Sequence, residues 1–547
     1  MPTPNIDLKR HGSAVSALTI TARDMPAGFP MTEWMQQAQR YMKYWKWFDG
    51  TYVEETTDTT KANEPVYKFP LRINAVRNFA RKHATVLLGE EIFDSPEPLV
   101  RTVVTPKKFL SDQTVTDEET AMAQFLQSVI SEVWQSSNGR ALQSENAVLT
   151  QFLGGCVFGV KYAPWEEDLA VPIIIENIMP DFFLPVWSKD DYYNLLEAWI
   201  VYRIPARVAS LEWKTELTNQ SYALYVEHWT RDHYSIYVDN EPLTDQFGIT
   251  YENLPNIWGF VPFVYIPHLR EGNFYGPSIV EDIEGLVQEY NARMADQGDA
   301  IRKTVHRVRY AFNINRTPVS RLIGTNVRVI DLGHESPAHK NPPKVYSEDP
   351  PNMSDSMMNF SDDLWAQLMR EASLGPIAFG EDEGSQRSAL TLAFRMWPTT
   401  SHARMERTFW TDGLNRIAYM VLKMTSVIQG SKTLKETMRA LPMVVPKDFY
   451  RSYRLSQDWL PQIPRDREQM VNEIVIRYQA GLLSIDSALQ SFGDIRNIKN
   501  EKQLILEWKD AVAEVEAKYA LAAKPQAQGA DVKTTGPVAS TNAGEED

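Results

Sequence analysis

The stretch PSIVEDIEGLVQEYNARMADQGDAIRKTVH, residues 277–306, decides the architecture of this chain of 547 residues. Apolar side chains recur in it at steps of three, four and seven residues, the period of a helix with one apolar face. The stripe consists of Ile279, Ile283, Leu286, Tyr290, Met294 and Ile301. Such a helix spans about 45 Å, and Pro277 suits its first turn. We expect the stripe to pack against neighbouring helices rather than to bind a ligand.

The charge changes sign near the end of this helix. Between Ile301 and Ile330 the chain carries seven basic residues and no acidic one. They are Arg302, Lys303, Arg307, Arg309, Arg316, Arg321 and Arg328. Residues 307–313 and 326–331 are typical of strands around a turn that contains Thr317 and Pro318. A proline-rich stretch follows.

A second helix is predicted over residues 354–372, ending near Gly375 and Pro376. The next segment is predicted to be an exposed loop with an acidic centre. It consists of Gly380, Glu381, Asp382, Glu383, Gly384 and Ser385. A long helix is then predicted from about Ser388 to Ile428, with a kink at Pro398. The outline is helix, small basic β module, helix, acidic loop, long kinked helix.

The segments on either side complete an α+β pattern. Before residue 277, helical periodicity gives way to short β-rich runs that indicate an antiparallel sheet, and Gly89 is predicted as a left-handed cap. The predicted helices are 32–50, 71–88, 118–134 and 142–153, and the predicted strands are 157–162, 198–201, 222–229 and 233–238. Further helices are predicted over 465–480, 484–491 and 499–522. From Lys524 onward the composition is typical of disorder.

Composition sets limits on the function. A hydrophobic content of 43% allows a sizeable core in roughly two to four compact units. The net charge of −15 argues against general affinity for nucleic acid, so any DNA contact should be local or weak. The single cysteine, Cys156, excludes multi-cysteine metal sites. We find no secretion signal and no apolar run of roughly 18 residues, so no membrane association is expected.

Common enzyme motifs are missing. Gly154–Lys161 resembles a phosphate-binding loop, but Val160 occupies the place where lysine is needed, so the start of a strand after a tight turn is the better interpretation. The sequence contains no HExxH, GxSxG or GxGxxG motif. The nine histidines form no tight cluster in the sequence, and His306 and His334 suit surface roles. We therefore expect no catalytic residue, no metal ligand and no cofactor.

Four segments in this order resemble the portal proteins of tailed bacteriophages, most closely those of the siphophage type. The segment 71–90 is similar to an early helix of the family, and 151–162 to the strand that follows. Tyr275–Ser278, with Tyr290 and Asn291, is similar to the first stem helix. Gln386–Leu390 is similar to the start of the long helix after the tunnel loop. The resemblance extends from Trp45 to Met424.

The resemblance implies a mainly α-helical α+β portal fold with long stem helices, a small α/β clip, a wing with a sheet region and a helical crown. The implied map is an N-terminal arm at 1–28, the wing at 29–276 and stem helices at 277–306 and 351–373. The clip is then 307–350, the tunnel loop 374–387 and the returning long kinked helix 388–440. The crown is 441–522, before a disordered tail at 523–547.

The function implied is structural and not enzymatic. Portal subunits form a ring, usually a dodecamer, that serves as head–tail connector and DNA channel for viral genome packaging and ejection. The implied partners are further copies of the chain, double-stranded DNA that passes through the channel without sequence preference, the major capsid protein, terminase, head-completion or adaptor proteins and a scaffolding protein. The implied location is the portal vertex of the virion, and the host cytoplasm during assembly.

Two charged segments would then meet DNA or partners. The acidic loop, Gly380–Ser385, would centre DNA by repulsion, or it is an ordinary solvated loop. The basic residues between Arg302 and Arg328 would contact partner proteins, DNA or a neighbouring subunit. The alternatives for the whole chain are another ring or adaptor protein of a virion, an unrelated binding protein, and a packaging ATPase or nuclease, which would require the missing phosphate loop.

Overall fold

A computed structural model describes most of the chain. The described residues are 24–51, 73–89, 98–107, 115–166, 168–192, 194–213, 222–244, 248–305, 309–312, 329–331, 344–347, 355–380, 394–462, 467–492 and 498–522. The chain divides into two compact units, Met1–Pro464 and Arg465–Asp547. It is 54% helical and 19% strand in several small sheets, which confirms the α+β class.

Nine helices of the first unit are described within these ranges. They are α1 (Met31–Asp49), α2 (Ala75–Leu88), α3 (Asp117–Ser136), α4 (Gly139–Leu153), α5 (Ala206–Trp213), α6 (Ile279–Val305), α7 (Asp355–Glu371), α8 (Trp397–Gly430) and α9 (Phe449–Ser452). Local chemistry fixes several ends. Thr116 and Glu119 form a reciprocal capping box before α3, and the Asn74 side chain accepts from the Arg77 backbone N–H at the start of α2.

The first unit also contains fourteen strands in the described ranges. They are β1 (Arg101–Pro106), β2 (Gly155–Tyr162), β3 (Ile173–Ile178), β4 (Phe183–Trp187), β5 (Leu195–Pro205), β6 (Tyr222–Thr230), β7 (His233–Val238), β8 (Glu241–Pro242), β9 (Leu254–Pro255), β10 (Phe263–Pro267), β11 (Arg309–Phe312), β12 (Val329–Asp331), β13 (Lys344–Ser347) and β14 (Tyr453–Asp458). Strands β4 to β8 form one sheet in chain order, with β9 paired to β7. Strand β2 lies between β10 and β3. These pairs are antiparallel, as the sequence predicts.

Two large apolar clusters form the core of this unit. One surrounds the buried side chains of α8, among them Trp410 and Val421, and includes α3 and one face of β2 and β10. The other joins α1, α2 and α4 to the first half of α6 and the end of α7. The β10–β2–β3 sheet therefore has one face in each cluster, whereas α2 contributes residues to both.

Two glycines allow the chain to cross itself where these clusters meet. Gly154 ends α4 in the left-handed conformation, with φ of 76° and ψ of 7°. A Cβ atom at Gly154 would collide with the carbonyl oxygen of Gly276, and a Cβ atom at Gly276 would collide with that of Gly154. The Gly154 carbonyl also accepts from the His268 backbone N–H at 3.0 Å. The crossing places the start of α6 against the end of α4.

Several predicted details differ in the structure. Helix α6 begins at Ile279, because the Ser278 hydroxyl accepts from the Val280 N–H, so Pro277 precedes the first turn. Gly89 has a φ of 84°, but its ψ of 178° is not that of a left-handed cap. Pro398 lies in the first turn of α8 instead of kinking a helix partway along. A turn at Met396 separates the helical residues 394–395 from the start of α8.

The basic module contains one strand more than predicted. Strands β11 and β12 pair in parallel, so they do not form a simple hairpin. Strand β13 lies in the proline-rich stretch and pairs antiparallel to β11 on its other side. Periodicity did not reveal β13 because four residues are too few to establish alternation.

The second unit contains three described helices, α10 (Arg467–Gln479), α11 (Ile485–Phe492) and α12 (Ile498–Ala522). All three were predicted. Gly481 has a φ of 71° between α10 and α11, a conformation that glycine adopts at little cost. Among the described residues, no helix combines the length and apolarity needed to cross a membrane.

The glycine crossing yields a stability prediction. Gly154→Ala should lower the free energy of unfolding of the first unit by about 3 kcal/mol or more, since it adds a steric clash to the positive-φ strain of roughly 1–2 kcal/mol. Gly272→Ala is the matched control, because Gly272 has a φ of 80° and open space around the new methyl group. Chemical denaturation measures both. Equal losses in the two variants would show that the crossing is not tightly packed.

Candidate functional site: a helical hairpin and its anchorage

Helices α6 and α7 form a hairpin that flanks the three-stranded module in the sequence. The Tyr290 and Trp365 rings pack with centroids 5.4 Å apart, and the Gln297 amide donates to the Ser361 hydroxyl. These contacts hold the two long helices side by side.

The apolar stripe predicted for α6 changes its surroundings along the helix. Ile279 and Ile283 are buried in the core of this same chain, together with Val280 and Val287. Leu286, Tyr290 and Met294 are half-buried, and Ile301 is 52% exposed. The first half of α6 is thus fixed within the first unit, while exposure increases towards its end.

Polar contacts orient the start of α6 against α1. The Lys43 ammonium lies 2.6 Å from a Glu284 carboxylate oxygen, and the Tyr44 hydroxyl donates to Glu281. The Arg40 guanidinium donates to the Gly276 carbonyl at 3.1 Å and lies 3.6 Å from Glu281. Half-exposed ion pairs contribute little stability. Their main effect is to set the angle between the helices.

Asn291 makes the most buried polar contact on α6. Its side-chain oxygen accepts from the Ile73 N–H at 2.9 Å, and its amide group donates to the Ile73 carbonyl at 3.3 Å. The residue is only 7% exposed. One side chain therefore satisfies both backbone groups of a residue just before α2.

The hairpin is acidic. In α6 and α7 together, acidic residues outnumber basic residues by ten to four. At one end, burial and the nearby carboxylates of Glu271, Glu281 and Glu371 raise the pKa of Asp282 above its ordinary value. Like charges are thus concentrated where the hairpin joins the rest of the unit.

The base of the hairpin meets three histidines that are far apart in the sequence. His83 donates from Nε2 to the carbonyl of Ala372, directly after α7, at 2.6 Å. His268 bonds through Nδ1 to the carbonyl of Pro277, directly before α6, at 3.1 Å. The His402 ring, on α8, lies 5.1 Å from that of His83 and 5.2 Å from that of His268. The expectation of no histidine cluster holds in the sequence but is wrong in space.

These imidazoles are neutral at neutral pH. Burial and the neighbouring His402 and His268 lower the pKa of His83 to about 3. Burial and His402 likewise lower the pKa of His268 to about 3, and burial lowers the pKa of His402. One turn along α8, burial raises the pKa of the Glu406 carboxyl well above its ordinary value. Four titratable groups therefore share one buried junction.

Most of the predicted charged site lies outside the described residues or their side chains. Arg302 and Lys303 are in the last turns of α6, and Arg309 begins β11. Gly380, with a φ of 80°, ends a single 3₁₀ turn after α7. The residues outside the described ranges are Arg307, Arg316, Arg321, Arg328, Glu381, Asp382, Glu383, Gly384 and Ser385, together with His306 and His334.

The structure also explains the segment that resembles a phosphate loop. Gly154 ends α4 and Lys161 lies in β2, so the segment is a helix end and a strand, as predicted. The partly buried Lys161 ammonium lies between Glu176, at 2.8 Å, and Glu227, at 3.4 Å, beside a cleft of about 500 Å³. Because it is paired with two carboxylates, the lysine connects the sheets and is not positioned to bind a phosphate.

A comparison with known protein families matches residues 154–515 to the family described as phage portal protein, SPP1 Gp6-like. The match contains the hairpin, the three-stranded module and α8. This chain belongs to the SPP1 Gp6-like family of phage portal proteins. The family is structural, and its members are virion components. No individually curated protein matches the chain.

The family match includes two of the four segments on which the resemblance was based, and residues 154–162 of a third. The segment 71–90, which includes α2, lies before the matched residues. The Ile73 backbone, just before α2, nevertheless bonds to Asn291 of α6, and α2 itself carries His83, which bonds to the carbonyl of Ala372 after α7. A role for α2 in positioning the portal hairpin thus comes from the structure.

The buried amide on α6 yields a second prediction. Asn291→Ala should lower the free energy of unfolding of the first unit by about 1–3 kcal/mol, because it leaves the Ile73 N–H and carbonyl buried without partners. Arg293→Ala, on the same helix, is the control, because it removes exposed pairs with Glu289 and Asp296 worth roughly 0–1 kcal/mol. Denaturant titration measures both. A larger loss for Arg293→Ala would contradict this ranking.

Proposed function

We propose that this chain is the subunit of a closed portal ring through which double-stranded DNA enters and leaves a phage capsid. The family match over residues 154–515 carries the proposal. A closed ring of about twelve copies requires two different faces on each subunit that meet head to tail. The elongated hairpin, fixed at its base and exposed towards its end, suits such side-by-side packing.

We assign the parts of the subunit according to the portal family. The arm is 1–28, the wing 29–276 with the returning helix 388–440, and the crown 441–522. The stem is 277–306 and 351–373, and the clip 307–350 corresponds to the module of β11, β12 and β13. The tunnel loop is 374–387.

Acidic charge suits a channel in which DNA slides. Each phosphate that a protein neutralises adds salt-dependent affinity, and such contacts would slow the passage of DNA. The ten acidic residues of α6 and α7, repeated around a ring, would repel the phosphates instead. At physiological salt this repulsion extends about 8 Å, so it acts only on DNA that approaches the wall. The acidic loop at Glu381–Glu383 would reinforce the centring.

The basic module would serve as a docking platform. Arginine side chains pair well with carboxylates, so the stretch from Arg302 to Arg328 suits terminase during packaging and head-completion or adaptor proteins afterwards. The major capsid protein and a scaffolding protein would contact the wing and arm. These partners are proposed from the family, and the basic charge of the module supports the docking role.

The oligomeric state tests this proposal. Native mass spectrometry of the purified full chain should show one dominant closed assembly of about twelve copies. A population of monomers and dimers at all concentrations would contradict the proposal. An assembly that grows without a fixed size would indicate a different structural role in the virion.

The acidic loop yields a third prediction. Replacing Glu381, Asp382 and Glu383 by Gln, Asn and Gln should raise the affinity of the ring for double-stranded DNA about three- to tenfold at low salt, because repulsion is removed. The difference should disappear at high salt. Fluorescence anisotropy with a short duplex measures it.

The matched control removes the same charge elsewhere. Glu118→Gln, Glu132→Gln and Glu145→Gln neutralise three side chains on α3 and α4. This triple variant should bind DNA as the unmodified chain does. If both triple variants gain affinity equally, net charge and not the loop governs DNA contact.

A further inference from the structure

We propose that His268, His402 and Glu406 form a binding site for a divalent metal ion of the zinc class at the base of the hairpin. Their ligand atoms all lie within 4.8 Å of one another. The site does not depend on the function proposed above, because it rests on the geometry of three side chains within one chain.

The distance between the two histidines fits a shared ion. The Nε2 atoms of His268 and His402 face each other at 3.2 Å. Two zinc–nitrogen bonds of 2.0–2.1 Å at a tetrahedral angle place the two nitrogens about 3.3 Å apart. Thus the rings need almost no movement to bind one ion between them.

The tautomer of His268 also favours this arrangement. A carbonyl oxygen only accepts, so the Pro277 carbonyl fixes the proton of neutral His268 on Nδ1. The Nε2 atom then presents a lone pair towards His402. A backbone carbonyl that orients the non-ligating nitrogen is one of the usual outer partners of a zinc-bound histidine.

Glu406 supplies the third ligand. It lies four residues after His402, so both side chains project from the same face of α8. The residue is fully buried, and its Oε2 atom has no hydrogen-bond partner among the described residues. The Gln151 amide donates to Oε1 and fixes the carboxylate. A buried carboxylate with a free oxygen is costly unless a cation or proton satisfies it.

The ion would join two separate parts of the chain. His268 follows β10, directly before the turn into α6, whereas His402 and Glu406 belong to the helix after the loop. Strand β10 and helix α8 would then be cross-linked where both ends of the hairpin attach. His402 is partly exposed, and the ion would reach the otherwise buried site past its ring. We expect a fixed hairpin base in the loaded protein.

The test measures zinc in the purified full chain. After chelator treatment, one equivalent of Zn²⁺ is added and weakly bound ions are removed by desalting. The zinc that remains bound is determined by elemental mass spectrometry. The unmodified chain should retain one zinc per chain. His402→Gln and Glu406→Gln should each retain much less zinc than the unmodified chain. Losing a ligand should weaken Zn²⁺ binding by at least about 100-fold, which is the upper range of the effect of losing an outer partner. His233→Gln, at an exposed histidine on β7, should retain the ion.

Two results would overturn the site. One is an unmodified chain that holds no stoichiometric zinc, which would leave an ordinary hydrogen bond between neutral imidazoles. The other is equal zinc retention in the unmodified chain and in folded Glu406→Gln, whose near-identical shape protects the fold. As a second readout on the unmodified chain, Co²⁺ should give the visible absorption of a tetrahedral site with nitrogen ligands. If the chain forms rings that bind no zinc, only the metal site is contradicted. If it binds zinc but stays monomeric, only the portal function is contradicted.

Discussion

The close contact between Gly154 and Gly276 is the constraint on which the arrangement of the first unit depends. It joins the end of α4 to the turn before α6, and there is no space for a side chain at either glycine. Because Gly154 directly precedes β2, the same point lies at the start of the β10–β2–β3 sheet, where Gly155 pairs with Pro267. The direction in which the long hairpin leaves the core is thus fixed by backbone contact, which deforms much less than side-chain packing.

The polar contacts around this crossing act in a second layer. Asn291 fixes α6 against the residues before α2, and His83 fixes the end of α7 against α2 itself. His268 bonds the turn into α6 and contacts His402 on α8. Both ends of the hairpin are therefore held by buried groups, whereas the far end of α6 exposes Ile301. A rigid base with an exposed tip is the geometry expected of an element that meets neighbouring subunits.

Much of this fold was predictable from the sequence because its main signals are local. The stripe from Ile279 to Met294 and the strands around Tyr222–Val238 follow simple periods, and glycines mark several ends. The order of helix, basic module, helix and long helix was likewise sufficient to indicate the portal family. The predictions that failed concern fine backbone detail. Pro398 lies in the first turn of a helix instead of kinking one, and β13 is too short to show the alternating pattern of a strand.

The candidate site was harder to predict because it depends on contacts between distant residues. His83, His268 and His402 are each isolated in the sequence, and only the folding of α2, β10 and α8 against one another brings them together. His402 and Glu406 share a helical face, a spacing that gives a weak signal by itself. The predicted basic and acidic stretches, in contrast, are evident from charge alone, but most of their residues lie outside the described ranges.

Cryo-electron microscopy of the purified full chain is the decisive test of the portal function. We predict a closed ring with rotational symmetry, an opening wide enough for double-stranded DNA, and α6 and α7 of every subunit as the elements nearest the opening. Monomers or compact dimers without a channel would contradict it. So would a ring whose opening is bordered by the β4–β8 sheet while the acidic hairpin lies on the outside.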